Sequence, residues 1–309
     1  MNKFTKMIVS LSLCFCTLIP SVASAQEFSD MPDDWTAPAL QRAVENGLLK
    51  GSEGKIMPNN NITRAQIAAI ITRAFGADRI GDISKFSDVT KDKWYYDDFS
   101  KAIRMNIFTG TDDNKLNPDS FITFQECFAV VSRLLMLPDK EVSCLEKFDD
   151  YALVDNWAKQ SMANIVGYGF WSGIDNKLKP KDYVTRAEFA VLMDNMIKTY
   201  IDEPGTYKNL PDGNILIRSE NVIIDGLESD DLIIVGDGVH ETTKLTNMKS
   251  TNFIIGRGGS LEVSGEINNI SGLIMGVTLD ISNVSKRTGK VYLLSKGVHL
   301  KYGQTDLDM

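Results

Sequence analysis

Apolar residues recur at three- and four-residue spacing over the first two thirds of the chain and in short unbroken runs over the last third, the change falling near Ile201-Asp202-Glu203-Pro204-Gly205. In the first part, Leu40, Ala43 and Val44, then Phe99, Ala102 and Ile103, then Met162, Ile165 and Val166 each form one stripe of a helix. Each of these helices is expected to stop at Gly47, Asn106 or Gly169, residue types that accept the left-handed backbone of a helix end. A second helix follows in each segment. It opens at Thr63-Arg64-Ala65-Gln66, Thr123-Phe124-Gln125-Glu126 and Thr185-Arg186-Ala187-Glu188, three capping boxes in which the threonine and the Glu/Gln satisfy each other's backbone donors.

Beyond Gly205 the runs Ile215-Leu216-Ile217, Val222-Ile223-Ile224, Leu232-Ile233-Ile234-Val235, Phe253-Ile254-Ile255, Leu261-Glu262-Val263, Leu273-Ile274-Met275, Leu279-Asp280-Ile281 and Val291-Tyr292-Leu293-Leu294 predict strands. Gly, Asn, Asp and Ser punctuate them. Such tight, regular turns favour a short β-solenoid over a sandwich.

The helical part repeats. Phe28-Ser29-Asp30, Phe86-Ser87-Asp88 and Phe148-Asp149-Asp150 each open a unit that continues through a tryptophan (Trp35, Trp94, Trp157), a glycine (Gly51, Gly110, Gly173), a proline (Pro58, Pro118, Pro180) and, five residues on, the capping threonine. Arg64 and Arg186 sit in the first turn of a helix, the positive end of its dipole, where a cation is mildly unfavourable. Two explanations are open: an ion pair with an Asp of a neighbouring unit, or a carboxylate or phosphate ligand held by the arginine fork beside free helix N–H groups. Cys127 occupies the slot of Ile67 and Phe189 and reads as a core residue.

Lys3 and Lys6, the apolar run from Met7 to Ile19 and Ala23-Ser24-Ala25 read as a signal peptide over 1–25, with the mature chain starting at Gln26. No later segment reaches 18 continuous apolar residues, so no transmembrane span is expected in the mature chain. The 33 Lys+Arg against 41 Asp+Glu give a net charge of −8, which argues against a nucleic-acid partner. Cys14 and Cys16 fall in the leader, and Cys127 and Cys144 alone are too few for a disulfide scaffold, though one bridge between them is open.

The quoted openings, with Ile62-Thr63-Arg64-Ala65-Gln66 and Val184-Thr185-Arg186-Ala187-Glu188, resemble the S-layer homology family over about residues 27–199. The repeats are placed at 27–76, 86–136 and 148–199, with a linker at 200–211 and the solenoid at 212–303. The resemblance implies a multidomain α plus all-β chain: a pseudo-threefold helical bundle, then a module similar to the right-handed β-helix segments appended to some members. It also implies a secreted protein of the cell wall or cell surface that docks non-covalently, without a cofactor or bound metal, onto anionic wall polysaccharide carrying a pyruvate ketal, alongside other surface-layer proteins.

The family's ligand residues carry over as Asp30, Trp35, Gly51 and Arg64 in the first repeat, Asp88, Trp94 and Gly110 in the second, and Asp150, Trp157, Gly173 and Arg186 in the third. Phe124 stands where the second arginine belongs. The chemistry suits an acidic sugar: arginine takes the ketal carboxylate, Asp accepts from hydroxyls, Trp offers a flat face, and Gly admits the polymer to the backbone. Each type also has a plainer use: Trp as core, Asp in an Asx turn, Gly for its backbone angles.

No catalytic residue is assigned. Asp225, Glu228, Asp230, Asp231 and Asp237 bunch in one stretch without ligand-loop spacing, His240 and His299 stand far apart, and Gly256-Arg257-Gly258-Gly259 opens a strand rather than a helix. Two other readings remain: a wall-anchored polysaccharide lyase or hydrolase with its site in the solenoid, and a structural protein of the surface lattice.

Overall fold

The computed structural model describes residues 28–308 except 112 and 304; the expected signal peptide lies outside the described residues. Six α-helices come first: α1 (Ala37–Glu45), α2 (Arg64–Ala74), α3 (Tyr96–Arg104), α4 (Phe124–Leu135), α5 (Lys159–Gly167) and α6 (Arg186–Met196). Just beyond the ends of α1, α3 and α5, Gly47, Asn106 and Gly169 all take positive φ (69°, 61° and 78°), as their residue types predict. Thr63, Thr123 and Thr185 cap α2, α4 and α6. Gln66, Glu126 and Glu188 accept from the threonine backbone N–H at 3.1, 2.9 and 2.8 Å.

The repeats do not close on themselves. α3 packs on α2, α5 on α4, and α1 completes the ring on α6, so each helix pair joins two successive repeats. At the axis the residues preceding the three caps bond in a triangle: Ile62 N–H to Val184 O (2.9 Å), Val184 N–H to Ile122 O (3.0 Å) and Ile122 N–H to Ile62 O (3.3 Å). All three side chains are buried.

The first strands are β1 (Thr199–Ile201) and β2 (Gly205–Tyr207). They pair in parallel with β3 (Ile215–Ile217) and β4 (Val222–Asp225), so residues expected to form a linker are the first coil of the solenoid. Coils continue with β5 (Leu232–Val235), β6 (Thr242–Met248), β7 (Phe253–Gly256), β8 (Ser260–Ile267), β9 (Asn269–Gly272), β10 (Thr278–Arg287), β11 (Val291–Leu293) and β12 (His299–Tyr302), before β13 (Thr305–Asp308) turns back antiparallel. Odd strands β1 to β11 make one sheet and even strands β2 to β12, with β13, the other.

The two sheets differ as their sequences do. β3, β5 and β7 are buried at every position, the expectation for a parallel sheet covered on both faces. Ile215, Ile217, Ile233, Val235 and Ile254 fill the solenoid interior, whereas Leu216, Leu232, Ile234, Phe253 and Ile255 join the core of the helical bundle. In β6 and β8 buried and accessible positions largely alternate, the other face meeting solvent. One sheet of the solenoid therefore shares an apolar core with the helical bundle, while the solenoid interior forms a second core.

Arg257 fastens that contact. It is 1% exposed and donates to Asp237 Oδ2 (2.7 Å), Leu134 O (2.6 Å) and Met105 O (2.9 Å). Two of its acceptors are carbonyls at helix C-termini, which lack intrahelical donors and carry the negative end of the dipole. Gly238 meets the end of α2 so closely that a Cβ there would lie 1.9 Å from Gly76 O.

Candidate functional site

The loops that carry Pro58, Pro118 and Pro180 each reach back, around the ring, to the capped helix of the preceding repeat. Arg64 and Ala65 N–H donate to Ser120 and Pro118 O, Phe124 and Gln125 to Asp182 and Pro180, and Arg186 and Ala187 to Asn60 and Pro58, at 2.9–3.2 Å. The helix N–H groups expected to be free for an anion are therefore used between repeats. What remains for a ligand is the side chains above these junctions.

Arg64 Nε donates to Leu116 O at 2.7 Å and its guanidinium lies 5.2 Å from the Phe108 ring centre. Among the described residues it pairs with no Asp, and its two terminal nitrogens have no acceptor. Burial lowers its pKa; Glu126 and Asp88 oppose that and Arg133 adds to it. A partly buried cation without a described carboxylate contact is costly, and an anionic ligand offsets that cost.

Arg64 lines a groove of about 160 Å³ with Phe108, Gly110, Arg133 and Trp157. One repeat supplies the arginine, the next the glycine loop, the third the tryptophan. Arg133, ten residues after its capping threonine, donates to Ile107 O at 3.4 Å. Arg73 and Asn195 hold the matching position in the other repeats, and each donates to the corresponding loop, at Leu48 O and Phe170 O.

Arg186 is more engaged. It is 8% exposed and donates through Nε to Ile56 O (2.9 Å) and through Nη2 to Lys50 O (3.1 Å), one residue before Gly51. Burial lowers its pKa too, against the pull of Asp30.

Gly173 and Trp35 line another groove, of about 340 Å³, with Trp171, Arg42, Asp194, Asn195 and Lys198. Here Phe124 takes the arginine slot, 1% exposed and 5.2 Å from the Trp171 ring. Arg42 contacts Asp194 at 2.5 and 2.7 Å and Lys198 contacts it at 2.9 Å, so both cations are paired.

The tryptophans of the repeat pattern face solvent: Trp35, Trp94 and Trp157 are 56%, 62% and 57% exposed, and none is a core residue. Trp94 lies edge-on to Tyr95.

The aspartates have a structural task that the sequence analysis did not foresee. Asp30 accepts from Ile56 and Met57 N–H (2.7 and 2.8 Å), Asp88 from Leu116 and Asn117 (3.0 and 2.7 Å), and Asp150 from Leu178 and Lys179 (2.7 and 2.8 Å). They pin the proline-bearing loop instead of forming a local turn. For Asp30, desolvation works against ionisation, but those two N–H groups, its own backbone N–H and the Lys55 charge together hold its pKa below the ordinary carboxylate value.

The glycines serve the opening phenylalanines. A Cβ at Gly51, Gly110 or Gly173 would lie 2.0, 2.3 or 2.6 Å from Cε1 of Phe28, Phe86 or Phe148. Gly110 and Gly173 also line the grooves.

Residues 27–68, 85–126 and 147–190 each match the S-layer homology domain. The three repeats are S-layer homology domains. Over 204 residues, 64% of the chain, the protein is 29% identical to the surface-layer 125 kDa protein of Lysinibacillus sphaericus, covering 17% of that relative. It is 28% identical over 161 residues to the cellulosome-anchoring protein of Acetivibrio thermocellus (48% of this chain, 35% of that one). It is 27% identical over 177 residues to the amylopullulanase of Thermoanaerobacterium thermosulfurigenes (55% and 9%). The chain thus spans well under half the length of each of these relatives.

Sequence reasoning did not find Phe108, Arg133, Trp171 or Arg42 in the grooves of the S-layer homology domains. The repeat register held a signal for three of them: Phe108 and Trp171 stand two residues before the loop glycine, where Leu49 is the third counterpart, and Arg133 matches Arg73.

The acidic residues of the β part do not converge. Asp237 is buried against Arg257, Asp225 bonds Asn247 and Thr246, and Asp231 accepts from Gly213 N–H and Ser229. Cys127 and Cys144 are free thiols; Cys127 is buried in the core as expected, and burial raises its pKa. Among the described residues no cluster of three or more His, Cys, Asp or Glu could hold a metal, and no helix is long and apolar enough to cross a membrane.

Proposed function

We propose that the three S-layer homology domains hold this protein non-covalently on the bacterial surface by binding an anionic cell-wall polysaccharide, and that the β-solenoid is the module they display. The domains themselves and the surface-layer and cellulosome-anchoring relatives support location at the cell surface. The role requires no catalysis by this chain.

The observation that carries the ligand chemistry is Arg64. Its guanidinium is partly removed from water, has no carboxylate contact among the described residues, and lines a groove with the exposed Trp157 and the loop of Gly110. A pyruvate-ketal carboxylate fits the two open terminal nitrogens bidentately, while Trp157 offers its face to the pyranose. Arg186 takes the same class of group with one open terminal nitrogen. Asp30, Asp88 and Asp150 act indirectly, by holding the loops that shape the grooves.

Co-sedimentation with purified wall sacculi tests this. Binding is expected before mild acid removal of the ketal and a loss of about tenfold or more after it; equal binding before and after contradicts the ligand assignment.

A further inference from the structure

We propose that the groove between the third and first repeats, lined by Trp35, Trp171 and Asp194, is a separate site that takes an uncharged sugar residue of the wall polymer. This deepens the wall-anchoring reading and rests on it. The usual anion holder is missing there: Phe124 fills the arginine slot and packs on Trp171 and Phe128 at 5.2 and 5.9 Å. The remaining cations, Arg42 and Lys198, are both committed to Asp194, in contrast to Arg64, which no carboxylate contacts among the described residues. An anionic ring gains little from paired cations and is repelled by the carboxylate between them.

The groove is nevertheless built to receive something. It is more than twice the volume of the Arg64 groove, about 340 against 160 Å³. Trp171 lines it at 3% exposure, and its indole N–H, itself closed off from solvent, has no acceptor among the described residues. Trp35, 6.5 Å away and tilted 64° to Trp171, leaves a face open to solvent.

A hydroxyl-rich neutral pyranose matches these features. Its C–H face stacks on Trp35, and a hydroxyl donates to Asp194 or to Asn195 Oδ1, whose amide nitrogen is spent on Phe170 O. One polymer can then occupy an acidic-sugar groove and a neutral-sugar groove together, which raises avidity without a second anion.

The test uses the full chain and two probes, the ketal-bearing wall polymer and the same polymer stripped of its ketal by mild acid. An Arg64→Ala/Arg186→Ala variant should keep measurable binding to the stripped polymer, and adding Trp35→Ala should lower it about tenfold. Phe124→Arg in the double-arginine variant should restore preference for the ketal-bearing polymer. Ketal-dependent binding by the unmodified protein with no retention of the stripped polymer, or retention indifferent to Trp35→Ala, overturns the neutral site alone. Failure to bind either polymer overturns the anchoring reading as well.

Discussion

Arg257 and Leu134 lie 123 residues apart in the chain and are joined at 2.6 Å, guanidinium to helix carbonyl, at the seam between the β-solenoid and the S-layer homology domains. The same guanidinium holds Asp237 and Met105 O, so removing it strips partners from a buried carboxylate and two helix ends together. The solenoid is thus seated on the anchor through polar as well as apolar contacts.

Arg257→Ala should therefore destabilise the protein by about 3–5 kcal/mol, the usual cost of leaving a buried charge uncompensated. Urea unfolding checks it. A loss below ~1 kcal/mol would mean that water replaces the arginine and that the seam is loose.

Nothing in the glycine-rich stretch Gly256–Gly259 announced that seam. A buried arginine whose partners are helix-end carbonyls more than a hundred residues away leaves no local pattern, whereas the helix caps do, since Thr63 and Gln66 sit three residues apart. The same distinction governs the strands. Unbroken apolar runs such as Leu232–Val235 were readable, but the half-polar Thr242–Met248 was not. The run Leu273-Ile274-Met275 follows its strand: β9 ends at Gly272, while Leu273 and Ile274 turn into the bundle core. In the grooves the arginines and tryptophans were legible by repeat position. The true partners of Asp30, Asp88 and Asp150 were not, because they lie 26–29 residues ahead.

Gly110→Ala should cost about 2–3 kcal/mol, because Gly110 has φ +78° and the new Cβ would sit 2.3 Å from Phe86 Cε1. Combining it with Phe86→Leu should recover part of that loss in thermal unfolding. If the paired change recovers nothing, backbone strain alone sets the requirement for glycine.

Asp194 links α1 to α6 through Arg42. Burial raises its pKa, but the hydrogen bonds from Arg42 and Lys198 outweigh this, so the folded-state value lies below the ordinary 3.8. A depressed carboxylate contributes stability that is present above the unfolded value and lost as pH falls through the folded one. Asp194→Asn should accordingly cost about 1 kcal/mol at neutral pH, with Arg42 partly exposed, and the gap from wild type should close below about pH 4. A gap that persists unchanged to lower pH means that the asparagine disturbs packing rather than charge.

The two arginines should not be equivalent. Among the described residues Arg64 keeps both terminal nitrogens open, and Arg186 spends one on Lys50 O. Arg64→Ala should weaken binding to ketal-bearing polymer more than Arg186→Ala, while Arg186→Ala should reduce stability more because it leaves two loop carbonyls without their donor. Thermal unfolding beside binding isotherms separates the two effects.

The most direct measurement is the binding isotherm of the Arg64→Lys variant on ketal-bearing wall polymer. Lysine keeps the positive charge and loses the planar fork, so bidentate capture of the ketal carboxylate predicts affinity lower by about tenfold with an unchanged melting temperature. Affinity equal to wild type would contradict it and leave Arg64 as a structural tie to Leu116.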